Sequence, residues 1–169
     1  VLAICKAIRA VGTAPDFIVV DGSEGGTGAA PIDFEDHMGM PLTHGLMLMH
    51  NALVGTGLRD QIKIGASGKV AGGSDIVMRM IQGADYTNSA RAMMMATGCI
   101  QAQRCHTGEC PTGVATQDPR RNRAIVVEDK SKAVYNFHKT TVSTAVRLMA
   151  SMGVSDPSEL TPHMLRRSV

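Results

Sequence analysis

Cys99, Cys105 and Cys110 gather three of the chain's four cysteines into one stretch, GCIQAQRCHTGECPTG, spaced C-x5-C-x4-C with Pro111 directly after the last. Thiols this dense have three uses. Three thiolates ending in Cys-Pro suit iron–sulfur ligation, although the bacterial ferredoxin run is tighter and carries a fourth cysteine. His106 would complete a Cys3His tetrahedral zinc site, but it adjoins Cys105, and adjacent residues rarely both turn to one metal. A disulfide with one thiol left over is disfavoured in a reducing compartment. The chemistry favours metal over disulfide and leaves iron and zinc both open.

A second kind of chemistry resides in glycine-rich segments. DGSEGGTGAAP, with Gly25 and Gly26 at its centre, matches neither a dinucleotide fingerprint nor a P-loop. It offers close backbone approach and N–H groups for a phosphate, a flat ring or an anionic substrate, or it is a strand–helix turn with no ligand. ASGKVAGGSD places Ser67, Gly68, Lys69, Gly72 and Gly73 ahead of a helix start, where N–H groups and the helix dipole favour an anion. Lys69 adds a point charge. Ser89, Ala90 and Arg91 follow in TNSARA; Arg91 would contact a phosphate, cap a helix or pair on the surface. Two neighbouring strand-end loops sharing a phosphate is what the last two strands of a (β/α)8 barrel commonly provide.

The elements that must position these groups follow from the apolar spacing. VLAICKAIRAVG reads as a helix stopped at Gly12, and Phe17–Val20 as a buried parallel strand. PLTHGLMLMHNALVGTG restores helical spacing, ended by Gly55 and Gly57. QIKIGASG is a second strand, SDIVMRMIQG a helix capped at Ser74 or Asp75, ADYTNSA a short third strand, and ARAMMMATG a helix. Strands alternating with helices predict βαβ units on a parallel sheet, with each glycine loop at a strand's carboxyl end, where such folds carry ligands. TQDPRRNRAIVVEDK is polar and Pro-interrupted. SKAVYNFHKTTVSTAVRLMASMG then makes a long helix stopped at Gly153, and SDPSELTPHMLRR a capped turn and the start of another. The methionines beside Leu and Ala are core filler. His44 and His50, six residues apart on one helix, do not share a face and make no metal site.

Composition bounds the function classes. The 169 residues are one domain's worth, 44% apolar and 19% charged, with a net charge of +2 that gives no argument for nucleic acid or an anionic membrane. No apolar run reaches the roughly 18 residues of a spanning helix. A start on Val1 with no basic leader reads as a cut within a longer polypeptide, and three clustered cysteines with Cys5 alone, in a chain apolar enough to need no staples, read as a reducing, cytoplasmic setting.

With these residues in hand, the chain resembles the FMN-binding synthase domain of glutamate synthase and its shorter glutamate synthase-related relatives. The markers are GSEGGTGAAP, GLRDQIKI and CIQAQRCHTGECPTGVATQDP, in that order, over essentially the whole chain. The resemblance implies the carboxyl-terminal part, about strands six to eight, of a (β/α)8 TIM barrel, with a cysteine loop at 98–113 and a helical extension at 118–169 after a barrel portion at 1–117. It implies FMN at the strand ends and a 3Fe-4S cluster beside it, held by Cys99, Cys105 and Cys110. Ser67, Gly68, Lys69, Gly72, Gly73, Ser89, Ala90 and Arg91 would fall in the FMN phosphate region, with Gly25 and Gly26 also near the cofactor. The implied reaction is reductive amination of 2-oxoglutarate to L-glutamate, with ammonia supplied free or from glutamine. The flavin delivers the hydride, and the cluster relays electrons from a donor protein or subunit.

Three departures point to the glutamate synthase-related branch. The larger enzymes carry His-Asp or His-Asn where this chain has Ser23-Glu24, Gly-Gly where it has Gly68-Lys69, and Gly-Thr where it has Ala90-Arg91. The last keeps an anion-binding group but exchanges backbone for guanidinium. Three parallel strands cannot close a barrel, so an open edge and self-association are expected of the piece alone. The substrate-binding and catalytic residues are expected elsewhere, and Cys5, within its helix, does not replace a glutaminase nucleophile. Alternative functions keep the fold: an electron-transfer or non-catalytic subunit, or a zinc-clipped phosphate-binding barrel.

Overall fold

A computed structural model describes residues 1–22, 31, 33–34 and 38–165. Gly25, Gly26 and the Ser23-Glu24 pair lie outside the described residues. Helix α1 (Leu2–Val11) ends at Gly12, whose φ of 76° is the left-handed conformation that a glycine cap supplies. Strand β1 (Phe17–Asp21), helix α2 (Leu42–Gly55), strand β2 (Lys63–Ser67), helix α3 (Gly73–Ile81), strand β3 (Tyr86–Asn88) and helix α4 (Arg91–Ala96) follow. The strands form one parallel sheet ordered β1-β2-β3. Val19 pairs with Gly65, and Ser67 pairs with both Asp21 and Asn88, so all three carboxyl ends finish at one level. The expected alternation of helices with parallel strands is present.

Two cores hold this together. Leu42, Leu46 and Leu53 of α2 join Ile62, Ile64 and Ala66 from the β2 segment, with Cys5 and Ile8 of α1 closing over them. Each fully buried Leu or Ile contributes about 1.5–3 kcal/mol by leaving water. The second core is helical. Val77 and Ile81 of α3 meet Ala145 and Met149 of the long α6 (Val127–Ser151), and each pair is spaced four residues apart on one helix face. Val154 and Leu160, beyond the Gly153 stop, complete it.

Three sequence expectations change. Strand β1 is half-buried, not buried: Phe17 is 58% and Val19 39% exposed, because the described helices cover only one of its faces. Helix α3 begins at Gly73 with Gly72 as its cap residue; Asp75 serves the start from inside, its Oδ2 accepting from the N–H groups of Gly72 and Ala71. Helix α6 begins at Val127, earlier than apolar spacing indicated, with Glu128 and Asp129 in a first turn where the dipole favours acids. Among the described residues no helix is long and apolar enough to cross a membrane.

Candidate functional site

The carboxyl ends of β2 and β3 enclose a cavity of ≈ 200 Å³ lined by Ser67, Gly68, Lys69, Val70, Ala71, Asn88, Ala90, Arg91, Ala92 and Met95. It is smaller than the roughly 300–1,000 Å³ of a whole-ligand pocket, which suits one end group of a ligand. Gly68 can occupy its place because it has no side chain: its φ is 140°, and a Cβ there would stand 3.0 Å from the Gly22 carbonyl oxygen. Lys69 holds a left-handed φ of 48°, a conformation unfavourable for a residue with a side chain. The Ser89 hydroxyl donates to the Val70 carbonyl at 2.7 Å and so ties the two strand-end loops together.

Sequence reasoning grouped eight residues here, and the structure separates them by role. Ser67, Gly68, Lys69, Ala90 and Arg91 share the cavity wall, bringing a lysine and an arginine to one small space. Ser89 fastens the loops behind it. The Gly72 N–H is already taken by Asp75 at 2.9 Å, and buried Gly73 lies against the α6 backbone at Thr141 and Ala145. Asn88 and Met95 also line the cavity and were not singled out from sequence. Asn88 could have been found from its place as the last residue of β3.

The second site is the loop after α4. None of the four cysteines is in a disulfide, and Cys99, Cys105 and Cys110 line one small cavity with Arg104, Pro111 and Thr112. His106 is exposed and absent from that lining, so the donor set there is three thiols. The loop turns through left-handed residues at Gly98, Gln101, Gln103, Gly108 and Gly113. The Cys99 N–H donates to the Met94 carbonyl at 3.0 Å, which holds the first thiol to the end of α4. Glu109 pairs with Arg104 at 3.8 Å, and Arg121 of the short helix α5 (Pro119–Asn122) donates to the Glu109 carbonyl at 3.3 Å.

Cys110 is the chemically distinct thiol. Burial pushes its pKa up, but hydrogen bonds from the Thr112 hydroxyl and from the N–H groups of Ala115, Thr112 and Val114 outweigh it and bring the value down to about 7. Those donors stabilise a thiolate, the form that binds metal. The Thr112 contact, at 3.5 Å, was not anticipated; its signal was the C-P-T sequence. Among the described residues no three His, Cys, Asp or Glu side chains are drawn together around one ion position. A single zinc needs each thiolate at about 2.3 Å, whereas a cluster distributes its ligands over several irons. Three thiols line one cavity of ≈ 10 Å³, and the hydrogen bonds to Cys110 favour its thiolate, the donor type that zinc and iron–sulfur centres share.

A larger cavity, ≈ 730 Å³, opens at the amino ends of the strands, lined by Asp16, His50, Arg59, Lys63, Asp85 and Tyr86 among others. Three of its polar groups are engaged with one another: Arg59 contacts His50 Nδ1 at 3.3 Å and Asp85 Oδ2 at 2.8 Å.

Residues 3–155 match a family described as the conserved region in glutamate synthase. A glutamate synthase large subunit-like protein, YerD, of Bacillus subtilis is 43% identical over 146 residues, 86% of this chain and 28% of the relative. An NADPH archaeal glutamate synthase of Methanocaldococcus jannaschii is 36% identical over 86% of this chain and 28% of its own length. A ferredoxin-dependent glutamate synthase of Pyropia yezoensis is 36% identical over 86% of this chain and 9% of its own length. The chain thus spans under a third of each of these relatives. Among solved structures, a mutant flavocytochrome b2 with pyruvate bound superposes with a TM-score of 0.55 at 15% identity, covering 98% of this chain and 32% of that one, a likeness of fold. On its family match and these relatives, the chain belongs to the glutamate synthase family.

Proposed function

We propose that this chain is the cofactor-bearing carboxyl-terminal part of a glutamate synthase-type oxidoreductase. In this reading the three strands are about the sixth to eighth of a (β/α)8 barrel, 1–117 is its partial barrel, and 118–169 is a helical extension. The observation that carries it is the pairing of two built sites in one family member: a strand-end cavity with Lys69 and Arg91, and a second cavity lined by three thiols.

The residues present divide the work. Lys69 and Arg91 would neutralise the FMN phosphate, while Gly68 lets the backbone approach it closely. Ser67 and Asn88 offer neutral hydrogen-bonding groups at the rim, and Ser89 keeps the two loops in register. Cys99, Cys105 and Cys110 would hold a 3Fe-4S cluster, with the N–H donors around Cys110 favouring its thiolate. The chemistry such groups would supply when bound is hydride from FMN, for an imine of 2-oxoglutarate and ammonia, and single electrons passed from a donor protein by the cluster. The described residues contain no assigned catalytic acid or base, and 2-oxoglutarate would be held by other parts of the protein.

The test is anaerobic purification of the full-length protein with visible spectra and counts of flavin, iron and sulfide. Flavin bands over a broad shoulder, with several irons per chain, are expected. A colourless preparation, or one zinc and no iron, would overturn the reading.

A further inference from the structure

The two sites are physically joined through Met95, in the wall of the strand-end cavity, and Gln101, which lines neither. Helix α4 is only six residues long. At its carboxyl end, Met95 lines the strand-end cavity, and its sulfur accepts a hydrogen bond from the Gln101 side-chain amide at 3.7 Å. The backbone N–H of the same Gln101 donates to Cys99 Sγ at 3.4 Å. The two donors of Gln101 therefore point to the two sites.

Gln101 holds a φ of 58°, an unfavourable left-handed conformation for glutamine. Such strain persists where the surroundings enforce it. Here the Cys99 N–H bond to Met94 holds the loop's start, and the Gln101 amide contacts the Met95 sulfur at an exposed position. Met95 is flexible and 46% exposed, so a ligand group entering the cavity must displace or order its side chain. Any such movement reaches Gln101, and with it the donor on the Cys99 sulfur.

We propose that Gln101, through Met95, is a positioning residue that couples occupancy of the strand-end cavity to the electron affinity of the centre held by the cysteines. This rests on the proposed cofactor reading. N–H donors to a ligating sulfur favour the reduced, more negative state of an iron–sulfur centre. Tightening the Gln101 donor when the cavity fills makes reduction easier. By linkage, reduction of the centre then tightens ligand binding in the cavity by the same factor.

The experiment uses the full-length holoprotein. Reductive titration followed by electron paramagnetic resonance gives the midpoint of the centre with FMN bound and after FMN is stripped. Restoring FMN tests reversibility. In the unaltered protein a shift of about tenfold in the reduction equilibrium is expected, 59 mV for one electron. Two variants should abolish the difference while iron and sulfide content stay unchanged. Gln101→Gly keeps the N–H and relieves the backbone but removes the amide; Met95→Leu keeps the volume but removes the sulfur acceptor. An iron-loaded protein whose midpoint ignores FMN, or variants that respond to FMN as the unaltered protein does, would overturn the coupling alone. An iron-free preparation would overturn the cofactor reading and the coupling with it, and the metal count shows this before any potential is measured.

Discussion

Arg59 and Asp85 form an ion pair at 2.8 Å across the amino-terminal end of the sheet, and Asp85 Oδ2 also accepts the Ile64 N–H at 2.7 Å. The Asp85 N–H in turn donates to the Ile64 carbonyl at 2.7 Å, so this residue locks the start of β3 to β2. Its side chain is 23% exposed, with Lys63 a further 3.5 Å neighbour of Oδ1. Replacing it by alanine leaves the Ile64 N–H and the guanidinium without their acceptor. Asp85→Ala should therefore destabilise by about 2–4 kcal/mol. Asp85→Asn, which can still accept from Ile64, should cost about 1–2 kcal/mol. Urea unfolding of the full-length protein measures both, and equal losses for Ala and Asn would show that the charge carries the whole effect.

The same network predicts a pH effect. Burial, followed by the Arg59 charge, lowers the His50 pKa from 6.5, while a backbone hydrogen bond at Gly83 and the Asp85 charge oppose the shift. The folded state thus favours neutral His50, which accepts from Arg59 Nε. Between the folded value and 6.5 the unfolded chain binds more protons, so stability rises with pH across that window. It is complete above the unfolded value and declines as pH falls below it. Unfolding midpoints at pH 7.5 and about 5.5 should differ less in His50→Gln than in the unaltered protein. An equal difference in both would assign the acid sensitivity to other groups.

Much of this architecture was legible in residue patterns, and the misses share a cause. Gly12 and Gly153 end helices because glycine tolerates the left-handed cap, a local rule that sequence carries. The lining of one cavity by Ser67, Lys69 and Arg91 followed from placing them at adjacent strand ends. The Arg59–Asp85 pair joins positions 26 apart and leaves no local trace. The left-handed Gln101 and Gln103 were equally hidden, since glutamine gives no cue to a positive φ. The exposed face of β1 escaped because an apolar run reads the same whether one face is covered or both.

Two glycines should respond oppositely to alanine. A Cβ on Gly73 would stand 2.8 Å from the Thr141 carbonyl oxygen and overlap the Ala145 backbone nitrogen, both on the rigid α6. Gly73→Ala should lose about 2–3 kcal/mol through overpacking of the α3–α6 contact. A Cβ on Gly55, at the end of α2, meets nothing within 4 Å. Gly55→Ala should gain about 0.5–1 kcal/mol from helix propensity and a less flexible unfolded chain. Thermal melts of the two variants give the comparison, and a neutral Gly73→Ala would mean that α6 can move away from α3.

Lys69 and Arg91 make the sharpest prediction about the strand-end cavity. On the proposed cofactor reading, a charge-assisted hydrogen bond to the FMN phosphate contributes about 1.5–3 kcal/mol, so removing either cation should weaken FMN binding by roughly 10–100-fold. Riboflavin carries the same ring without the phosphate, and its affinity should stay unchanged in both variants. Lys69→Gly has a built-in control for folding. Its left-handed φ of 48° costs a lysine on the order of 1 kcal/mol that glycine does not incur, so stability should hold or rise while FMN affinity falls. Arg91→Ala and Lys69→Gly should also flatten the salt dependence of FMN binding, because fewer charges remain to be screened. Fluorescence titration of flavin-stripped full-length protein with both flavins reads all of this. Parallel losses for FMN and riboflavin would show that these cations support the ring site or the fold, and that the phosphate is held elsewhere.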